Sequence, residues 1–471
     1  MSLASPAPGL DGSHDPYAPL RIANFRWFVI SILTMAMGAQ IQGVVVAWQM
    51  YDVTGDPLAL GLVGLAEAAP FIAFALYAGH VADVRDRRRV ALTSLVLLFV
   101  CAGVLAVASA LYFPSAGAHA AGIRGRAGGP GALMQVVIYA VIVVCGAARS
   151  FLLPARNALG ADLVPRALFP SAVAWRAGIW QVAAVAGPAL GGVFYAWVGP
   201  TRSYAIAGAL MAASLVTVAK IRAPARPTSA HAEVPLIASV REGLAFLFKR
   251  PIFLGAITLD LFAVLFGGAV AILPIFADQI LHVGPTGLGG LRAAPAIGAV
   301  LMSGFIALRP PGRQIGRTFL RAVVAFGAFT IGFALSKSFV LSLVLLAASG
   351  AADMLSVYFR ATLMQVMVPS GMLGRVSAVN QIFIGSSNEL GAFESGVAAR
   401  LLGAVPSVVV GGAITVASAL VTNWVFPSLA RLDSFADYAS SDSGIDPAPM
   451  AIGTERRAAD AITRDPPSEP S

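Results

Sequence analysis

Charged residues are scarce in this chain: Asp, Glu, Lys and Arg make up 12% of its 471 residues, whereas a soluble domain usually holds about 25%. Hydrophobic residues make up 58%, and the mean hydropathy is +0.80. A water-soluble fold with this composition would have to expose a large apolar surface to solvent. The composition therefore predicts a protein whose solvent is the lipid bilayer.

Motifs for nucleotide, metal or redox chemistry are missing as well. The chain has no Gly-x-x-x-x-Gly-Lys-Ser/Thr phosphate loop, so transport driven by ATP is not expected. Its five histidines are scattered, and neither His-Glu-x-x-His nor Cys-x-x-Cys occurs. Cys101 and Cys145 fall inside apolar runs and are expected to be buried free thiols. We therefore expect no metal, no cofactor and no enzymatic activity.

The N-terminus also lacks the features of a cleaved signal peptide. Residues 1–19 are polar and contain Asp11, His14 and Asp15, without a short apolar core. The first apolar run is therefore expected to be a transmembrane helix of the protein itself.

Long apolar runs are what the chain does have. A transmembrane helix needs about 20 mostly apolar residues. Six such runs lie before a polar interruption, at residues 26–49, 57–80, 90–113, 132–153, 171–196 and 203–221. Six more follow it, at residues 252–277, 286–308, 317–336, 338–365, 376–399 and 404–428. The predicted fold is an all-α membrane protein with twelve transmembrane helices in two six-helix bundles.

Arginine and lysine are concentrated in alternate connections between these helices. The 2–3 connection, the linker between the bundles and the 8–9 connection are rich in them, while the connections between these hold few. The positive-inside rule therefore places both termini in the cytoplasm. The same rule accounts for the net charge of +9, so nucleic-acid binding is not expected.

The pattern divides the chain into five segments. They are a cytoplasmic N-terminal segment (1–20), the first bundle (21–221), a cytoplasmic linker with an amphipathic helix (222–250), the second bundle (251–428) and a disordered cytoplasmic tail (429–471). The two bundles share a short internal repeat: a shift of 204 residues places Arg156 on Arg360 and Val164-Pro165 on Val368-Pro369. Helices 4 and 10 are therefore expected to occupy equivalent positions in two parallel repeats.

A glycine, an aspartate and a basic cluster follow one another where helix 2 ends. This arrangement resembles the loop 2–3 signature of the major facilitator superfamily, although Val84 and Asp86 stand where the superfamily has a basic residue and a glycine. The resemblance implies that the aspartate contacts the start of helix 11 in one conformation and releases it in the other. The members of this expected latch are Gly79, Asp83, Arg87, Arg88, Gly374 and Arg375. The alternative is that the basic cluster only anchors the loop in the cytoplasm.

Helix 5 contains a run of small residues that resembles the antiporter motif of the same superfamily. The run is Gly187-Pro188-Ala-Leu-Gly191-Gly192, and two upstream glycines of the full motif are replaced by Ala174 and Ala183. Small residues allow close contact between helices. The resemblance implies an exporter; the alternative is ordinary tight packing.

The second half carries further similarity, in the runs that begin at Leu259-Asp260, Gly350, Gly374-Arg375 and Asn388-Glu389. Together they resemble the enterobactin-exporter-like (transmembrane secretion effector) branch of the superfamily. This branch implies proton-driven export of siderophores or drugs, by a transporter whose partners are a small molecule, protons and the lipid bilayer. The superfamily fold usually works as a monomer.

Ionisable residues at membrane depth are the best candidates for the proton or substrate pathway. Placing a charged side chain at the centre of a membrane helix costs about 2.5–3.5 kcal/mol, even on the scale derived from membrane-insertion experiments. The candidates are Asp260, Asp353, Arg149, Glu389, Glu394 and Glu67, with Asp260 the first choice for the proton. Arg156, Arg176 and Arg360 are expected nearer the cytoplasmic surface, in contacts between helices. Two other functions remain open, an uptake permease with the same fold and a membrane-embedded lipid-modifying enzyme.

Overall fold

The computed structural model describes residues 15–112, 130–222, 242, 245–248, 250–368 and 372–434. All regular secondary structure in these ranges is helical. Most of the predicted amphipathic linker helix and most of the predicted disordered tail lie outside the described residues; residues 245–248 of the linker are helical.

Long helices follow the predicted apolar runs along the chain. In the first half they are α1 (Ala23–Thr54), α2 (Pro57–Val84), α3 (Arg87–Tyr112) and α4 (Pro130–Asp162). A fifth stretch, Phe169–Lys220, is broken at Gly199, where φ is 77° and ψ is 173°. We label the part before Gly199 α5 and the part after it α6.

The second half repeats this arrangement. Its helices are α7 (Pro251–Gly267), α8 (Gly284–Leu308), α9 (Ile315–Leu335), α10 (Phe339–Met367), α11 (Leu373–Leu402) and α12 (Ala404–Val425). Short helical turns extend α7 as far as Ile280.

Ten helices in the described ranges are long and apolar enough to cross a membrane. One of the ten is Arg166–Lys220, which the break at Gly199 divides in two. The 30-residue helix α11 is not among the ten; it carries Asn388, Glu389 and Glu394 within its length. The prediction of an all-helical protein with many membrane spans is confirmed.

The turn between α1 and α2 shows how the sequence reverses the chain. Gly55 adopts a left-handed conformation with φ of 62°, which favours glycine. Asp56 then caps α2 by accepting a hydrogen bond from the backbone N–H of Leu58 at 2.9 Å, and Pro57 occupies the first turn. We call this side of the bundle the Gly55 end, and the opposite side, where α2 meets α3, the Arg87 end.

The two halves of the chain are in contact at the Gly55 end. Arg400 of α11 pairs with the capping carboxylate of Asp56 at 2.8 Å. The Tyr51 hydroxyl of α1 donates to Asp278 at 3.0 Å and accepts from the Gln279 side chain at 2.9 Å. Helix α2 packs on α11, and α5 packs on α8. The structure therefore represents a conformation that is closed at the Gly55 end.

Candidate functional site

Glycines allow the helices of the two halves to touch along their backbones. At the α2–α11 contact, a Cβ atom placed on Gly61 would lie 2.9 Å from the Cα atom of Gly396. At the α5–α8 contact, a Cβ atom placed on Gly192 would lie 2.9 Å from the Cα atom of Gly289 and closer still to the carbonyl oxygen of Pro285. No side chain larger than hydrogen fits between these backbones as they stand.

The helix 5 motif faces two partners. A Cβ atom on Gly187 would lie 2.5 Å from Cβ of Gln40, and one on Gly191 would lie 3.1 Å from Cα of Ile41, so both glycines pack α5 on α1. Gly192 and the carbonyl oxygen of Pro188 instead meet α8 of the other half. The motif thus lies both within the first half and at the contact between the halves.

We expect Gly192→Ala to weaken the closed Gly55 end, because the new methyl group would overlap the backbone of α8. Overpacking of this kind lowers the free energy of unfolding by about 1–3 kcal/mol. The loss would be measured as a lower midpoint of thermal unfolding in detergent. Gly178→Ala is the matched control on α5, since a Cβ atom there meets nothing within 4 Å. Equal midpoints for the two variants would contradict the assignment of Gly192 to a tight contact.

A cluster of four ionisable side chains lies at mid-depth, where the two halves meet. Arg149 of α4 forms an ion pair with Glu67 of α2. The Arg149 side chain is 47% exposed although it lies near the middle of α4. Glu389 of α11, in the other half, also acts on Arg149 electrostatically, so this ion pair lies close to the boundary between the halves.

Arg292 of α8 completes this central cluster, and sequence reasoning missed it. Its guanidinium interacts electrostatically with Glu389 and Glu67, and its Nη1 atom is buried without a hydrogen-bond partner. The same atom would lie 3.9 Å from a Cβ atom on Gly43 of α1. Each half thus contributes one acid and one arginine, and the four formal charges sum to zero. Every attraction between an acid of one half and an arginine of the other draws the halves together.

A second cluster lies within the second half, between α7 and α10. Asp260 pairs with Arg360 at 2.6 Å, and the two side chains are 6% and 9% exposed. Asp353, about two turns from Arg360 on α10, interacts electrostatically with both. Arg360, which the sequence suggested as a contact near the surface, is therefore the buried partner of the first-choice acid. With two acids and one arginine, this triad has one negative charge in excess when both acids are ionised.

The remaining predicted residues are placed as follows. Arg87 pairs with Asp162 at the end of α4, at 2.6 Å. Arg88 donates to the backbone carbonyls of Val218 and Ala219 on α6, so both basic residues hold the first half together. Gly79 has open space beside it, with nothing within 4 Å of an added Cβ atom.

The last predicted site residues are three members of the latch and the acid Glu394. The side-chain surroundings of Asp83, Gly374 and Arg375 lie outside the described part of the structure, so the latch stays a prediction. Glu394 of α11 is half-buried and belongs to neither charged cluster.

Comparison with known proteins agrees with this architecture. A family model described as transmembrane secretion effector matches residues 14–456. The multidrug efflux pump Tap of Mycolicibacterium fortuitum is 25% identical over 394 residues, which covers 80% of this chain and 89% of that protein.

Solved structures of transporters share the fold at low sequence identity. A bacterial homologue of the iron transporter ferroportin, in its inward-facing state, is 16% identical with a TM-score of 0.64, covering 88% of this chain and 99% of the other. A POT family transporter in complex with a thioalcohol-conjugated peptide is 11% identical with a TM-score of 0.65, covering 86% and 96%. The family match covers nearly the whole chain, and these neighbours have the major facilitator fold. The chain belongs to the transmembrane secretion effector family of major facilitator superfamily transporters, and it is a multi-pass membrane protein rather than an enzyme.

Proposed function

We propose that this transporter is a proton-coupled exporter of a small organic solute that works by alternating access. In this proposal the chain crosses the cell membrane twelve times, the break at Gly199 separates two of the crossings, and α11 supplies the most polar one. The positive-inside rule places both termini, and with them the Arg87 end, in the cytoplasm. The conformation described here is then closed towards the outside.

Export is supported by the chain's relatives and by its helix 5 motif. The family description names a secretion effector, and the relative from Mycolicibacterium fortuitum is named an efflux pump. The α5 motif lies at the contact between the halves that has to open when the transporter changes conformation. The solute itself is to be identified by transport, with siderophores and antibiotics as the first panel.

The excess acid in the α7–α10 triad is the observation that carries proton coupling. An uncompensated carboxylate at membrane depth is costly, and a bound proton removes the charge. Asp260 is already paired with Arg360, whereas Asp353 has no ion-pair partner of its own in the described residues and is only acted on by Arg360 electrostatically. We therefore assign the transported proton to Asp353, with Asp260 holding Arg360 in place.

The cycle follows from the charges. When the Gly55 end is open, Asp353 takes a proton from the outside, and the triad becomes neutral. After the halves rock to the conformation described here, Asp353 releases the proton towards the cytoplasm, and the positive charge of Arg360 stabilises the carboxylate that remains. Solute moves in the opposite direction in the same cycle.

The test is solute transport by the purified protein in proteoliposomes under an imposed pH gradient. With one proton per solute, a gradient of one pH unit supports about a tenfold solute concentration ratio. We expect Asp353→Asn to build up no solute concentration ratio from the pH gradient. It should still exchange solute down the solute's own concentration gradient. Asp15→Asn is the control, because Asp15 is a surface residue that pairs with Arg21.

Two results would contradict the proposal. Full gradient-driven accumulation by Asp353→Asn would remove Asp353 as the proton site. If solute accumulation by the wild type did not depend on the pH gradient, the hypothesis of proton coupling would be wrong. The sign of accumulation decides direction: solute must move against the inflow of protons if the protein is an exporter.

A further inference from the structure

A cavity in the first half is lined by two arginines and, among the described residues, by no acid. It has a volume of about 260 Å³ and lies between α1, α4 and α5, on the side of the bundle nearer the Arg87 end. It is lined by Ile32, Arg156, Val173, Arg176, Ala177 and Trp180. Pockets that enclose whole drug-sized ligands are about 300–1,000 Å³, so this one fits a small molecule or one part of a larger molecule.

Neither arginine of the cavity has a carboxylate partner among the described residues. The Arg156 guanidinium lies over the Trp180 ring at 5.7 Å from the centroid, and its Nε atom is buried without a hydrogen bond. Arg176 donates to the side-chain oxygen of Asn157 at 2.6 Å and lies over the Phe28 ring at 5.8 Å. Within the described residues, the charged groups that act on Arg156 are Arg176 and Arg149, both positive.

The second half shows how an arginine at this position can be neutralised. The shift of 204 residues places Arg156 on Arg360, and Arg360 pairs with Asp260, the tenth residue of α7. The tenth residue of α1, matched by its position in the helix and not by that shift, is Ile32, which lines the same cavity as Arg156. At the corresponding place in its first helix, the first half thus has an apolar side chain where the second half has an acid.

We propose that Arg156 and Arg176 form a binding site for the anionic group of the transported solute, and that the solute is an organic acid with an apolar, preferably aromatic, body. A carboxylate, sulfonate or phosphate would supply the negative charge that Asp260 supplies in the other half. Guanidinium groups bind such anions through two parallel hydrogen bonds, and Trp180, Val173 and Ile32 offer an apolar wall to the rest of the molecule. This inference rests on the proposed function as a solute transporter, whatever ion drives it.

The test measures equilibrium binding without any gradient, so its outcome is independent of proton coupling. The probes are 1-naphthoate and its uncharged isostere 1-naphthamide, titrated calorimetrically into the full chain in nanodiscs of phosphatidylcholine. The wild type should bind naphthoate at least about tenfold more tightly than naphthamide, because charge-assisted hydrogen bonds account for the difference. Arg156→Gln should weaken naphthoate binding by about 10- to 100-fold and leave naphthamide binding unchanged. Arg166→Gln, which removes an exposed arginine at the Arg87 end, should change neither.

Ile32→Asp provides a second variant that keeps both arginines. Its carboxylate would pair with Arg156 as Asp260 pairs with Arg360, and we expect it to exclude naphthoate as strongly as Arg156→Gln does. Ile32→Asn, of similar size but uncharged, should weaken naphthoate binding less. The inference is overturned if the wild type binds the two probes equally, or if naphthoate binds folded Arg156→Gln and Ile32→Asp as tightly as the wild type. If the wild type binds naphthoate but its solute transport does not depend on the pH gradient, the result counts against the proposed proton coupling alone.

Discussion

Arg360→Gln is expected to destabilise the protein far more than Asp260→Asn, although both variants break the same 2.6 Å ion pair. Removing the arginine leaves two carboxylates inside the membrane and takes away the one cation that acts on them in the described part of the chain. An uncompensated buried charge costs about 3–5 kcal/mol. Removing Asp260 leaves Arg360 close to Asp353, which already acts on it electrostatically and can take over the pairing. We therefore expect Asp260→Asn to lower the free energy of unfolding by about 1–2 kcal/mol, the cost of one weakened charged hydrogen bond.

Unfolding of the purified variants in mixed micelles of increasing denaturing detergent would measure the difference. The double variant Asp260→Asn, Arg360→Gln serves as the control, because it removes the charges of both partners and should be more stable than Arg360→Gln alone. The deficit of Arg360→Gln should also shrink at low pH, since protonated carboxyl groups need no cation. Equal losses for the two single variants would show that Asp353 does not share Arg360.

The sequence predicted the helices well because lipid imposes a simple requirement on them. A segment that crosses a bilayer must be long, apolar and helical, and all three properties can be recognised in a single sequence. The predicted break between residues 196 and 203 lies at Gly199, whose backbone is not helical. The structure differs at α11, which Glu389 and Glu394 make more polar than its neighbours.

The pairing of charged residues was much less predictable. Depth in the membrane selected Glu67, Arg149, Asp260 and Glu389 from sequence, and these residues do lie in the two charged clusters. Which acid meets which arginine depends on how each helix is rotated about its axis, and helices that are apolar on nearly all sides carry little information about rotation.

Arg292 is the member of the central cluster that was not selected from the sequence. It lies inside the predicted run 286–308, so the same criterion of depth was available to select it. What the sequence cannot show is that its Nη1 atom is buried without a hydrogen bond, close to Gly43 of the other half.

Around the matching arginines Arg156 and Arg360, the two halves carry net charges of opposite sign. In the first half Arg156 and Arg176 have no acid partner among the described residues, and in the second half the triad around Arg360 has one acid too many. An anionic solute on one side and a proton on the other would each remove a charge that is costly at membrane depth. Proton and solute can therefore stabilise different conformations without sharing a site, which is what coupling between two ligands requires.

Arg292→Gln is the variant expected to shift the conformational equilibrium most. The residue belongs to the second half, and it attracts Glu67 of the first half as well as Glu389 of its own. Without its charge, the attraction across the contact weakens while the close glycine packing remains. Opposite unit charges about 6–10 Å apart attract each other by about 1.5–3 kcal/mol at an effective dielectric constant of about 20, which corresponds to a 10- to 100-fold change in the ratio of two conformations. We therefore expect Arg292→Gln to increase the population that is open at the Gly55 end by a factor in this range.

Spin labels at Trp197 and Leu401 would report this opening, because the two residues lie in different halves at the Gly55 end and are 81% and 77% exposed. The buried Cys101 and Cys145 would be replaced by serine, so that only the introduced cysteines are labelled. The wild type should give mainly the short distance of the closed conformation, and Arg292→Gln should add a longer one. Arg309→Gln, at the other end of the same helix, should leave the distribution as it is. If Arg292→Gln also leaves it unchanged, the closed Gly55 end is held by glycine packing and the Arg400–Asp56 pair, and the central charges have another role.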